Sequence, residues 1–361
     1  MPTSPASVSP AASPAQGPAF VRQVHALVAD LAAPRPGIYF ADLALSAGAG
    51  WAALAVGARA WPHPAGWALL ALSAFALYRA GSFIHELTHL RPGAVPGFAL
   101  AWNALVGVPL LLPSLLYVGV HPVHHARPHY GTVRDPEYLP IAGWPRWKLA
   151  LWVAHASLLP VALALRFLVL APLSLLHPRL RRLVWEKASS LSINPAFTRA
   201  APPPALRAGF AAQEALCTVW AVSLVALVAA GALRLRLLLA AAAVAGAVGF
   251  LNQLRTVIAH RFASDGRTLT FEEQFLDSVN VPGHPLLTAL WAPVGLRYHA
   301  LHHLLPGLPY HALGAAHRRV TAALPAGSPY ALACEPSLAA ALRALARLRP
   351  RPSPASPAPP A

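Results

Sequence analysis

Residues 65–89 read AGWALLALSAFALYRAGSFIHELTH. Positions 65–84 are mostly apolar, and about 20 such residues are what a helix needs to cross the hydrocarbon core of a bilayer. The run closes on His85-Glu86-Leu87-Thr88-His89. That spacing puts both imidazoles on one helical face, a turn apart. A membrane helix delivering two histidines to its end sets the reading of everything around it.

Working outward, the stretches 38–56, 206–233 and 235–258 are also long and apolar enough to span. Two others, 98–120 and 147–176, are interrupted, the first by Pro109 and Pro113, the second by His155, Pro160, Arg166 and Pro172. Convincing strands and solenoid-period repeats are absent from the pattern. The expectation is an all-α integral membrane protein with four transmembrane helices, interfacial or re-entrant helices from the interrupted stretches, and a cytosolic histidine-rich cap. Only with four crossings do all the histidine clusters share one face. A membrane domain over 35–325 is expected between a disordered Pro/Ala-rich tail, 1–34, and a partly disordered C-terminal tail, 326–361. The first residues lack a continuous apolar core and do not read as a cleaved signal peptide.

Composition agrees. Of 361 residues, 56% are hydrophobic and 11% charged, with a mean hydropathy of +0.50; soluble domains carry about 25% charged residues. The formal net charge of +16 raises nucleic-acid binding, but the basic residues sit between apolar runs and fit an anionic leaflet and the positive-inside bias instead. No nucleic-acid partner is expected. Arg127, Arg134, Arg179, Arg181, Arg182, Arg261 and Arg267 fall on the histidine side, while Arg59, Arg234 and Arg236 are exceptions. This predicts a bacterial inner-membrane protein with the histidine clusters and both termini cytoplasmic. Lys148 and Lys187 are the only lysines, a bias of GC-rich bacterial coding. Cys217 and Cys334 offer neither a disulfide framework nor a Cys-x-x-Cys site.

The chain has 17 histidines, unevenly placed. A second cluster is His121-Pro122-Val123-His124-His125, followed by His129; a third is His299-Ala300-Leu301-His302-His303; His260 ends the fourth apolar run. Pro122 suits the first position of a helix. Neutral imidazole is a good ligand for iron, zinc, copper or nickel. Eight clustered rings plus His260 are too many for one ion and suit two. Without metal, so many buried imidazoles would be poorly satisfied. His25, His63, His155, His177, His284, His317 and His311 read as structural. His85-Glu86-x-x-His89 also matches the zinc-protease pattern, but an intramembrane metalloprotease would leave both His-x-x-His-His clusters idle. Glu86 is therefore expected to orient a ligand ring from behind.

These three boxes resemble those of the membrane fatty-acid desaturase and hydroxylase superfamily, over roughly residues 39–320. The tail of the third box, His302-His303-Leu304-Leu305-Pro306-Gly307-Leu308-Pro309-Tyr310, resembles the bacterial desaturase branch. The resemblance implies two iron ions held by His85, His89, His121, His124, His125, His299, His302 and His303, with His260 as the extra ligand. It also implies an acyl tunnel, O2 as co-substrate, and a ferredoxin or cytochrome b5 type electron donor. That donor is expected to be separate, because no His-Pro-Gly-Gly motif is visible. Asn252 and His129 are candidates to support the ligands. Saturated methylenes have no acidic proton, so the metal centre must do the chemistry. The expected activity is desaturation of a fatty-acyl chain. The alternative is hydroxylation or ketolation of an alkane, carotenoid or sterol.

Overall fold

The computed structural model describes residues 16–348, all helix and loop apart from isolated bridges. In chain order the elements are α1 (Gln16–Val28), α2 (Pro36–Ala60), α3 (Pro64–His89), α4 (Phe98–Gly107), α5 (His121–His125), α6 (Arg146–Ser174) and α7 (Pro178–Ala188). They continue with α8 (Pro204–Ala229), α9 (Leu235–Val257), α10 (Phe271–Asp277), α11 (Pro285–Trp291), α12 (His299–Leu304), α13 (Tyr310–Ala323), α14 (Pro329–Leu332) and α15 (Leu338–Arg347).

Proline opens α2, α3 and α8, where its missing N–H has no intrahelical partner to lose. Ala- and Leu-rich interiors then carry these helices for 25, 26 and 26 residues, about 37–39 Å against a hydrocarbon core of about 30 Å. Their outer faces stay apolar: Leu45, Leu72, Leu216, Val219 and Leu239 are exposed, as a lipid-facing surface requires. Two of the charges inside the spans, Arg79 and Glu214, are paired. Arg79 forms a forked ion pair with Asp42, which also accepts from Tyr310 Oη at 2.9 Å.

Five helices are long and apolar enough to cross a membrane: α2, α3, α6, α8 and α9. The hydrogen bonds around α6 locate its two ends. Before α6, Ala142 N donates to Phe262 O at 3.4 Å, and after α7, Leu191 N donates to Leu116 O at 2.8 Å. Both flanks therefore lie at the level of the histidine clusters. The only helix between α6 and Leu191 is α7, whose 11 residues reach about 16 Å, too short for a return crossing. Both ends of the α6–α7 segment thus stay beside the histidine clusters. The regular turns of α6 break at the 3-10 segment Ala156–Leu158 and at the π-turn Arg166–Leu170, beside Pro160 and Pro172. Arg166, which looks out of place in an apolar run, is buried against Ser189 and Glu214, the latter at 2.5 Å. The segment 98–120 likewise leaves and rejoins the histidine level, anchored by Trp102 Nε1 donating to Ala80 O and Trp51 Nε1 to Leu105 O, both at 2.8 Å.

The bend in α6 rests directly on α9. A Cβ at Gly246 would stand 2.7 Å from Ser157 O, and one at Gly249 would collide with Ala156 O. Both obstacles are backbone. Gly249→Ala is therefore expected to push α6 off α9 and cost about 1–3 kcal/mol. This is measurable as a lowered melting temperature in detergent, with Gly48→Ala, which meets open space, as the control.

The tails are more ordered than their composition predicts. Part of the segment expected to be disordered, 1–34, forms α1. Phe20, Val21, Val24, Leu27 and Val28 recur at helical spacing and pack against Leu301, Leu304, Leu313 and their neighbours. Arg319 reaches Asp30 at 2.5 Å. In the C-terminal tail, Ala341 and Leu345 of α15 are buried with Val257 and Ile258. Residues 1–15 and 349–361, also expected to be disordered, lie outside the described residues.

Candidate metal centre

The nine imidazoles singled out above meet at one end of the helical body, in two groups. His85, His89, His121, His125 and His302 form one; His124, His260, His299 and His303 form the other. Within each group the ligand-capable nitrogens all lie within 4.8 Å of one another. Helical geometry explains the split. At 100° per residue, positions i and i+4 share a face, while i+3 and i+4 diverge by about 100°. His121 and His125 therefore turn one way and His124 the other. On α12 the same step sends His299 and His303 to the second group and His302 to the first. The two His-x-x-His-His helices exchange arms across the site, while α3 adds an i, i+4 pair and the end of α9 adds His260.

The donor set fits two cations. Facing Nε2 atoms stand 2.9 Å (His121–His125), 3.2 Å (His125–His302), 3.2 Å (His124–His260), 2.9 Å (His260–His299) and 3.1 Å (His299–His303) apart. Imidazole nitrogens about 2.0–2.1 Å from one ion, at right angles, stand about 2.9 Å from each other. His85 Nδ1 and Nε2 and His89 Nε2 are buried with no protein partner. Burial pushes His121, His125, His260, His299, His302 and His303 well below the usual imidazole range, so they present lone pairs. For His124 burial pulls the same way, but the carboxylate of Asp135 outweighs it.

The rings are oriented from behind. His124 Nδ1–H donates to the fully buried Asp135 at 2.9 Å. His121 Nδ1–H donates to Glu137 at 2.6 Å, and Glu137 also accepts from Tyr117 Oη at 2.8 Å. His260 Nδ1–H meets Tyr130 Oη at 2.7 Å, and that hydroxyl in turn donates a hydrogen bond to Asp277 at 2.9 Å. Each contact fixes the proton on Nδ1 and turns the Nε2 lone pair inward. Burial raises Glu137 to about 7.

The sequence reading missed these carboxylates. Asp135 and Glu137 follow the second box by a short loop, and Asp277 belongs to a different element. Their signal was scarcity: the chain has only 12 Asp and Glu, so each one near a box asks for an explanation. Other assignments move. Glu86, expected behind a ligand ring, instead accepts from Tyr39 Oη at 2.7 Å and Tyr310 N at 3.2 Å. One residue beyond His85 on a helix, it is turned about 100° away and ties α2 and α13 to α3. The same contacts leave it unsuited to the protease role of general base. Asn252 accepts from Arg255 at 3.2 Å and touches no imidazole. His129 is half-buried and contacts none of the nine. Among the histidines read as structural, His63, His177 and His284 accept backbone N–H groups at helix starts; His311 accepts from Arg35 N at 3.1 Å.

A cavity of about 370 Å³ opens beside this centre. His85, Tyr117, Glu137, Ser190, Gln253 and Arg255 line its upper end; Leu112, Leu158, Leu159, Ala162 and Val248 line the part within the membrane body.

Membrane-length apolar helices that carry nine converging imidazoles beside an amphipathic cavity define a membrane-embedded oxidoreductase working on lipid. The chain belongs to the fatty acid desaturase family, whose profile matches residues 59–332, and members of this family use two irons. It is similar to the ceramide hydroxylase of Caulobacter vibrioides (strain NA1000 / CB15N), with 47% identity over 326 residues, covering 90% of this chain and 93% of that one.

Proposed function

We propose that this protein is an O2-dependent hydroxylase that inserts one oxygen atom into a C–H bond of a ceramide-type lipid, with two iron ions held by the five- and four-histidine groups. The observation that carries this reading is the 47% identity to a ceramide hydroxylase across nearly the full length of both chains. It favours hydroxylation, first weighed as the alternative, over desaturation, and replaces alkanes, carotenoids and sterols with a sphingolipid-type substrate.

Bound iron with O2 supplies what no side chain can, the breaking of an unactivated C–H bond. One oxygen atom of O2 enters that bond and the other leaves as water, with two electrons from a separate ferredoxin- or cytochrome b5-type donor and two protons. The protein's own groups do the positioning. Asp135, Glu137 and Tyr130 hold the ligand rings, and the cavity wall beside His85 brings the lipid to the centre. The basic residues of the loops support a reading in which this centre faces the cytoplasm from a bacterial inner membrane.

Lipid profiling checks the reaction. Expressed in a ceramide-producing bacterium that lacks hydroxylated ceramides, the chain is expected to yield ceramides heavier by one oxygen atom. Ceramides lighter by two hydrogens would instead return the assignment to desaturation.

A further inference from the structure

Arg255 is a buried charge that the fold leaves without a counter-ion. It sits near the end of α9 and is 8% exposed; among the described residues no carboxylate lies within ion-pair distance. Its Nη2 donates to Asn252 Oδ1 at 3.2 Å, the Tyr78 hydroxyl also lies against the guanidinium, and its Nε has no partner. Arg79 and Arg166, by contrast, each hold a carboxylate. Gln253 Nε2 and Ser190 Oγ are also buried and unpartnered. All three residues line the cavity that His85 lines. Arg255 is close enough to the centre for its charge to weigh on His260 and His299, behind burial and the neighbouring imidazoles. An uncompensated buried cation beside two idle donors is costly unless something in the cavity brings acceptors.

We propose that Arg255, Gln253 and Ser190 form the head-group subsite of the lipid substrate, donating to the amide carbonyl and hydroxyl oxygens of a ceramide-type lipid. This deepens the hydroxylase reading and rests on it for the identity of the lipid. Three donors, with Glu137 the one carboxylate on the same cavity wall and already held by His121 and Tyr117, call for an oxygen-rich, uncharged head. A bare hydrocarbon would leave all three unpaired and be rejected on that ground. The chain then runs down between Leu112, Leu159 and Val248. Because the subsite and His85 share one cavity, the carbon oxidised belongs to the part of the lipid next to its amide, not to the far end of a chain.

The test uses the full-length, iron-loaded protein in nanodiscs, with ceramide and an analogue whose amide carbonyl is reduced to a methylene as probes. Arg255→Met and Gln253→Leu are each expected to weaken ceramide binding about tenfold or more, with Arg255→Lys recovering part of the loss and bound iron retained in all three. The wild type should prefer ceramide to the reduced analogue, and Arg255→Met should not. Tandem mass spectrometry should place the new hydroxyl close to the amide. Unchanged ceramide binding in both variants, preserved discrimination in Arg255→Met, or a hydroxyl at the chain terminus would each overturn the subsite. A wild type that binds ceramide through Arg255 yet forms no hydroxylated product would instead sink the hydroxylase reading and leave the subsite standing.

Discussion

Replacing His302 by alanine is expected to lower product about 100-fold or more and to lower bound iron toward one equivalent per chain. A ligand loss should exceed the 10–100-fold cost of disturbing an outer partner. The informative result is in combinations. His302 and His89 belong to one group and His303 to the other, although His302 and His303 are chain neighbours. The pair His89→Ala with His302→Ala should therefore retain about one iron, because both changes damage the same site. The pair His302→Ala with His303→Ala should retain almost none. Coupled losses within a site and additive losses between sites are the behaviour of shared and separate networks. Iron analysis giving the reverse order would show that the two groups are drawn wrongly.

Asp135→Ala is expected to be the most damaging change outside the imidazoles. Asp135 is fully buried and accepts from His124 Nδ1, from Gly131 N at 2.9 Å and from Glu137 N at 2.9 Å. Removing it strands three donors at once and frees the His124 ring. Breaking a buried pair of this kind costs roughly 3–5 kcal/mol, and loosening a ligand ring costs about 10–100-fold in metal affinity. Asp135→Asn keeps an acceptor oxygen and should fold, so iron affinity measured on that variant separates the two effects. Wild-type iron affinity in Asp135→Asn would show that the carboxylate serves folding alone.

Legibility followed the physics of each feature. The spans were readable because a bilayer imposes about 20 apolar residues on anything that crosses it, and the parity argument asked for both ends of the interrupted stretches to lie near the histidine clusters. By length α6 counts among the helices able to span, whereas Pro160, Arg166 and Pro172 mark where its regular turns break. The nine imidazoles were readable because repeated local spacing is a property of sequence. Their division into five and four was implicit in the i, i+3, i+4 steps but needs the relative placement of α5 and α12. Asp135, Glu137 and Tyr130 follow the second box closely but reach its rings through a loop fold that no helical spacing encodes, and Asp277 is brought in by long-range packing. For Glu86 the adjacent box was misleading, since one residue along a helix is a different face. The helix α1 was legible from Phe20, Val21, Val24 and Val28 but was masked by the Pro- and Ala-rich residues before it. The substrate was not legible at all, because iron and its ligands are common to reactions that differ only in where a chain is held.

The crossed arms of α5 and α12 have a consequence for how the protein is made. When a growing chain has emerged through His125, four rings of the five-membered group exist but only one of the other, and neither is closed. His260 adds a second, and both groups are completed within the same short helix, by His302 and by His299 and His303. The two cages therefore finish together, late in translation, after all four crossing helices have been delivered to the insertion machinery. A nascent chain that has not yet brought α12 home therefore has neither histidine group complete.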